Sequence, residues 1–173
     1  TQFQAGDTPR RRTGIDELAD IEADILEAER RLQELIPNHG PRSFCYPCYA
    51  TDVGEGVSRQ SYVPVIARHF VAGRGGGEYG FFNHPYNCDL HCLLGASGQQ
   101  MTAAQLIGLA ELALSQGRWA IFTFHGIDTG RLGTAQYDFS ALLDHLSANR
   151  ERIWVAPVRD VASHLIALRN AFA

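Results

Sequence analysis

The sequence has no apolar run long enough to cross a bilayer as a helix, so a membrane-spanning helical protein is not expected. It has no signal-peptide pattern, and it opens at Thr1 rather than at a methionine. It has almost no clustered positive charge. Arg10-Arg11-Arg12 is one short triplet in a polar segment, and the net charge of the 173 residues is −4. Solvated surface charge explains the triplet, and nucleic acid is not an expected partner. Internal repeats and low-complexity tracts are missing as well, which excludes solenoid and fibrous architectures.

Cysteine is sparse. Four residues, at 45, 48, 88 and 92, form a Cys-x2-Cys and a Cys-x3-Cys pair. Four thiolates can close a tetrahedral zinc site. The two pairs lie far apart, however, and the aromatic stretch "FCYPCY" reads as a strand end rather than a zinc knuckle. Buried free thiols are the first reading, a disulfide in an oxidising compartment the second, and zinc the third.

What remains is the composition of one ordinary globular domain with a real core: 45% apolar and 20% charged residues. Residues 1–12 carry no periodicity and read as a polar segment. Apolar residues then recur at helical spacing from Ile15 to Ile36, with Thr13 as cap, Asp16 at the positive end and Pro37-Asn38-His39-Gly40 as the stop. "SFCYP", 43–47, predicts a short buried strand. A loop with Gly54 and Gly56 follows, and then a helix over 60–71. Gly73-Arg74-Gly75-Gly76-Gly77 lacks the Lys-Ser/Thr of a phosphate loop and is expected to be a flexible loop. Residues 78–100 read as irregular.

Thr102 and Gln105 form a capping box for a helix running to about Gln116, with Gly117 as its stop. Trp119–Phe124 predicts a buried strand. Asp138 is expected to cap a helix bearing Phe139, Leu142, Leu143 and Leu146. "RIWVA", 152–156, predicts another strand. Pro157 suits the first turn of a closing helix, with Val158, Val161, Leu165 and Leu168 on its inner face. Strands alternating with helices imply a parallel sheet or barrel of the α/β class.

His125 stands at the carboxyl end of the strand 119–124, where α/β folds keep their chemistry. Taken with its surroundings, the chain resembles the polysaccharide deacetylase, or NodB-homology, superfamily. "SFCYPCYATDVG" is similar to that family's "FaYPyG" segment, "SYVPVIARHFVAGR" to the helix and arginine after it, and "GRWAIFTFHGI…YDFSALLDHLSANRERIWVAPVRDVASHL" to its closing third. The resemblance covers most of the chain from about Ile15. It implies a distorted (β/α) barrel, here incomplete. Residues 13–173 would be the C-terminal part of the catalytic domain.

The implied activity is removal of N- or O-acetyl groups from a carbohydrate by a hydrolase of carbon–nitrogen, non-peptide bonds. The implied partner is an acetylated oligo- or polysaccharide, and the implied cofactor a divalent metal, zinc for preference. The family's general acid falls on His125, although the usual leucine-any-histidine is Thr123-Phe124-His125 here. An imidazole so placed can protonate a departing amine or alkoxide. By the same resemblance Arg74 orients the base carboxylate, and Tyr46, Pro47 and Cys48 line the groove wall. Surface charge and strand-end packing are the plainer alternatives for these four.

The family's acidic first motif and His-x3-His pair do not occur among the seven histidines. No metal ligand is therefore assigned in this chain. The expectation is an N-terminally truncated deacetylase, inactive in isolation and prone to self-association, or a divergent relative. A replacement metal site from His84, Asp89 and His91 is conceivable, with a loop cluster as the simpler reading. His145 and His164 are expected to face solvent or neighbouring side chains, and Trp119 and Trp154 to lie in the core. Two other functions stay open: a barrel remnant that holds sugar without cleaving it, and a small zinc-stabilised interaction domain.

Overall fold

A computed structural model describes residues 17–38, 40–77 and 80–172. The polar segment 1–12, the Thr13 cap, Ile15, Asp16 and His39 lie outside the described residues. The chain divides into two compact units, Thr1–Asn38 with Asp52–Tyr62, and His39–Thr51 with Val63–Ala173. No described helix is long and apolar enough to cross a membrane.

In the first unit, α1 spans Leu18–Leu35. Glu, Ala, Leu and Arg favour the helix. Glu27 accepts from Arg30 at 2.8 Å and from Arg31 at 2.7 Å one turn on, which adds to it. It stops where Pro37 cannot continue it and Asn38 turns to a φ of 66°. The expected apolar face is buried only at Ile25, while Leu32, Leu35 and Ile36 are exposed. The expected loop around Gly54 is instead a hairpin, β2 (Asp52–Val53) antiparallel to β3 (Gln60–Ser61). Gly54 has a φ of +75°, and a β-carbon there would meet the Ser58 carbonyl oxygen at 2.5 Å. An Arg59–Asp52 ion pair of 2.7 Å closes the hairpin.

The second unit is α/β. Its first half is β1 (Ser43–Cys45), α2 (Val63–His69) and β4 (Ala72–Arg74), with β1 parallel to β4. Its second half is β5 (Ala96–Ser97), α3 (Ala103–Ser115) and β6 (Phe122–Thr123), with β5 parallel to β6. Leu93 makes a parallel bridge to Arg74. The segment 93–97 thus pairs first with β4 and then with β6, giving the order β1, β4, 93–97, β6. Two helices follow, α4 (Gln136–Ala148) and α5 (Val158–Ala171). One core cluster gathers Ala72, Leu90, Leu93, Ile121, Val161, Ala162 and Leu165; the other gathers Met101, Leu106, Leu109, Ala110 and Leu142.

Several expectations are corrected here. Gly73 and Arg74 are strand rather than loop. A β-carbon at Gly73 would meet the His91 carbonyl at 2.9 Å and the Tyr46 ring at 3.0 Å, so the glycine serves close packing, not flexibility. The strand expected over 119–124 is regular only at Phe122–Thr123. The backbone of Trp119 instead pairs antiparallel with Asn83, at 3.0 Å in both directions. The strand expected over 152–156 does not form. The N–H groups of Arg152 and Ile153 turn back to the Asn149 carbonyl at 2.9 Å, and Trp154 and Val155 are exposed rather than core. β-Propensity makes a strand only where a neighbour pairs with it.

Asp138 does not cap α4, whose N-cap is Ala135. Its buried carboxylate accepts from the Ala103 N–H at 2.6 Å, and so caps α3 from 35 residues away. The Thr102–Gln105 capping box forms as expected, and Gly117 follows α3 at a φ of +60°. None of the four cysteines is in a disulfide, but Cys45, Cys48 and Cys92 are exposed and Cys88 is half-buried, so they are not the buried thiols expected. Trp119 packs on the first core cluster, as expected.

Candidate functional site

The carboxyl ends of the parallel strands are the rim where an α/β fold exposes its loops for chemistry. Backbone strain gathers there. Five described non-glycine residues have positive φ, and four of them lie in loops that follow these strands: Cys48 (51°) and Tyr49 (59°) after β1, Gln100 (54°) after β5, and Asp128 (51°) after β6. Left-handed conformation in a non-glycine residue costs about 1–3 kcal/mol and persists only where surrounding contacts enforce it. The loop after β4 is Gly75-Gly76-Gly77.

Tyr46 anchors the first rim loop. It is buried; its N–H donates to the Arg74 carbonyl at 3.0 Å and its hydroxyl to the His91 carbonyl at 2.6 Å. Its ring is therefore a support beneath the rim rather than a surface for a ligand. Pro47 and Cys48 are exposed above it.

Arg74 ends β4, and its Nη1 donates to the Thr123 hydroxyl of β6 at 3.2 Å. The intervening Gly95 lets the two approach. A β-carbon there would lie 2.8 Å from the Gly75 carbonyl oxygen and 3.3 Å from Thr123 Oγ1. His125 follows β6 by two residues and is exposed. Among the described residues its ring makes no hydrogen bond or ion pair. Phe124 fixes the backbone before it: its ring meets Phe139 edge-on at 4.9 Å and lies on Gly98, where a β-carbon would overlap it.

The other titratable candidates stand apart. His84 Nδ1 accepts from the Tyr86 N–H at 3.2 Å. His91 Nε2 meets the Phe70 carbonyl at 3.0 Å, and Asp89 accepts from the His91 N–H at 2.8 Å. These side chains are committed to local backbone, and among the described residues no group of three His, Cys, Asp or Glu could hold a metal. The rim loops offer His125, Arg74, the exposed Cys48 thiol and Asp128, whose carboxylate accepts from the Gln136 N–H at 2.8 Å, and no three of their His, Cys or Asp side chains are gathered to hold a metal. That set does not fit a catalytic cation bound by three side chains. His145 meets Glu111 at 2.9 Å, and His164 packs edge-on against Trp154 at 5.3 Å.

A pocket of about 420 Å³ lies elsewhere, between α3, α5 and residues 153–156. Trp119, Phe122, Trp154 and Leu165 make it apolar; Arg118 and His164 line it, and neither His125 nor Arg74 does. Among the described residues it is lined by no carboxylate to pair with His164 in acid–base work, whereas the rim carries Asp128 in the loop after His125.

Three supporting features escaped the sequence reading: Gly95 and Asn83 gave no motif, and Thr123 entered only as the residue standing where the family motif has leucine. Asn83 is buried, donates to the carbonyls of Leu94 (2.9 Å) and Trp119 (3.2 Å), and accepts from the Leu94 N–H at 2.8 Å. It staples 94 to 119 and so sets the spacing of 93–97 against β6. No family model matches the chain, and no curated protein or solved structure does either.

Proposed function

We propose that the rim belongs to a carbohydrate deacetylase in which His125 is the general acid. In this reading the parallel array is part of a distorted (β/α) barrel, and the substrate is an acetylated oligo- or polysaccharide rather than a nucleic acid. One observation carries it: the Arg74–Thr123 hydrogen bond joins the ends of β4 and β6. The two residues that the resemblance makes functional, Arg74 and His125, thereby share one edge of one sheet. An exposed imidazole on a backbone held by Phe124 can hand a proton to the amine or alkoxide that leaves when an acetyl group is hydrolysed. Arg74, tethered by Thr123, presents a fixed positive charge for a carboxylate base. The base and the ligands of the implied divalent cation, zinc for preference, are not assigned to residues of this chain.

The test is acetate release by the polypeptide that carries this chain together with an acidic motif and a histidine pair. Release is expected to stop when a chelator removes the divalent metal. His125→Ala is expected to lower kcat about 10²–10⁴-fold, the scale of a lost general acid. Full turnover in that variant would remove His125 from the role. The second reading is a module that binds sugar without cleaving it, in keeping with the finding that among the described residues no group of three His, Cys, Asp or Glu could hold a metal. It predicts sugar binding with no acetate released in any metal.

A further inference from the structure

We infer that Tyr49 is an aromatic platform for a sugar ring at this rim, an inference that rests on the carbohydrate reading above. Its ring lies on the backbone of the glycine loop after β4. A β-carbon at Gly76 would come within 2.8 Å of Tyr49 Cγ and Cδ2, so only glycine leaves room for the ring there. The residue is nonetheless 41% exposed, and its hydroxyl has no partner among the described residues. The N–H groups of Gly76 and Gly77 have none among them either.

The platform is rigid. The Tyr49 N–H donates to the Tyr46 carbonyl at 3.0 Å and the Ala50 N–H to the Pro47 carbonyl at 3.0 Å. Tyr46 in turn is fixed to His91 from below. Two consecutive non-glycine residues, Cys48 and Tyr49, are held left-handed to present the ring. A pyranose offers a face of C–H groups bearing slight positive charge, which suits the negative face of an aromatic ring. An aromatic side chain with only two side-chain torsions loses little freedom on binding.

The test titrates the chain with tetra-N-acetylchitotetraose by calorimetry or NMR. Tyr49→Gly removes the ring and at the same time relieves the left-handed backbone. It is expected to weaken binding at least about tenfold without lowering Tm, so that misfolding does not explain the loss. Tyr49→Phe keeps the ring and is expected to stay within about threefold of the parent. No binding by the parent, no loss in Tyr49→Gly, or an equal loss in both variants would overturn the platform. Acetate release that depends on His125, with KM unmoved by Tyr49→Gly, also overturns it and leaves the deacetylase reading standing. Binding that depends on Tyr49, with no acetate released in any metal by the polypeptide that also carries the acidic motif and the histidine pair, supports the platform and removes the deacetylase.

Discussion

Helix α1 is 18 residues long and buries one of them; α3 is 13 residues long and buries four, Leu106, Leu109, Ala110 and Ala113. Both have apolar residues at helical spacing. They differ in what closes their surfaces. The first is laced by charge, with Glu27 between Arg30 and Arg31 and Glu34 on Arg30. The second begins with a reciprocal Thr102–Gln105 cap and a carboxylate reaching from α4, and its leucines fill a core cluster. Periodicity reports that a segment can be an amphipathic helix; it does not report what lies against the apolar face.

The largest expected effect tests that difference directly. Leu106 is fully buried, and Leu106→Ala is expected to cost about 3 kcal/mol through lost transfer energy and a cavity. Leu32, on α1, is 39% exposed, and Leu32→Ala is expected to change stability by no more than about 0.5 kcal/mol. Urea unfolding of the two variants beside the parent provides the comparison. Equal losses would mean that the two helices are held in the same way.

A smaller effect is expected at the cap. Asp138→Ala leaves the Ala103 N–H at the head of α3 without its acceptor, a loss of about 1–2 kcal/mol. Asp138→Asn keeps a carbonyl oxygen in place and is expected to recover most of it. Thermal melts give the energies, and amide exchange at Ala103 shows whether the loss is local. A neutral Asp138→Ala with slow exchange at Ala103 would leave the capping box as the whole of the helix start.

The same pair of mechanisms explains what could be read from the residues. Local rules were sufficient where partners are near in sequence: the box at Thr102 and Gln105, the glycine stop at Gly117, and the α/β alternation. They failed where the partner is distant. Asp138 looks like a cap because it is one, but for a helix 35 residues earlier. Gly73 looks flexible, but its neighbours Tyr46, Ile66 and His91 become visible only in the fold. "RIWVA" has every residue a strand needs and no described strand beside it. At the rim, His125 and Arg74 stood out by chemistry and resemblance. Thr123, which ties Arg74 to β6, is an ordinary strand residue. Tyr49 lies in the segment "SFCYPCYATDVG" but has no role assigned there, and only the ring lying on Gly76 marks it.

The smallest expected effect belongs to α1 and depends on pH. Hydrogen bonds from Arg30 first and Arg31 second hold the Glu27 carboxyl down to about 2 from its ordinary 4.5. The folded helix therefore keeps this group ionised at pH values where the unfolded chain has already taken up a proton. The stabilisation it gives is complete above about 4.5, declines below that, and is gone once the pH falls through about 2. All three side chains are solvent-exposed, so salt should screen the effect and draw the midpoint back toward 4.5. An NMR titration of the Glu27 side chain gives the midpoint, and the α1 carbon shifts give the helix. Glu27→Gln is expected to flatten the acid response of α1, whereas Leu106 and Leu109, which hold α3, have no proton to gain. A Glu27 midpoint near 4.5 at low salt would mean that the charge lacing of α1 contributes nothing. The helix would then rest on its backbone propensity and on Ile25.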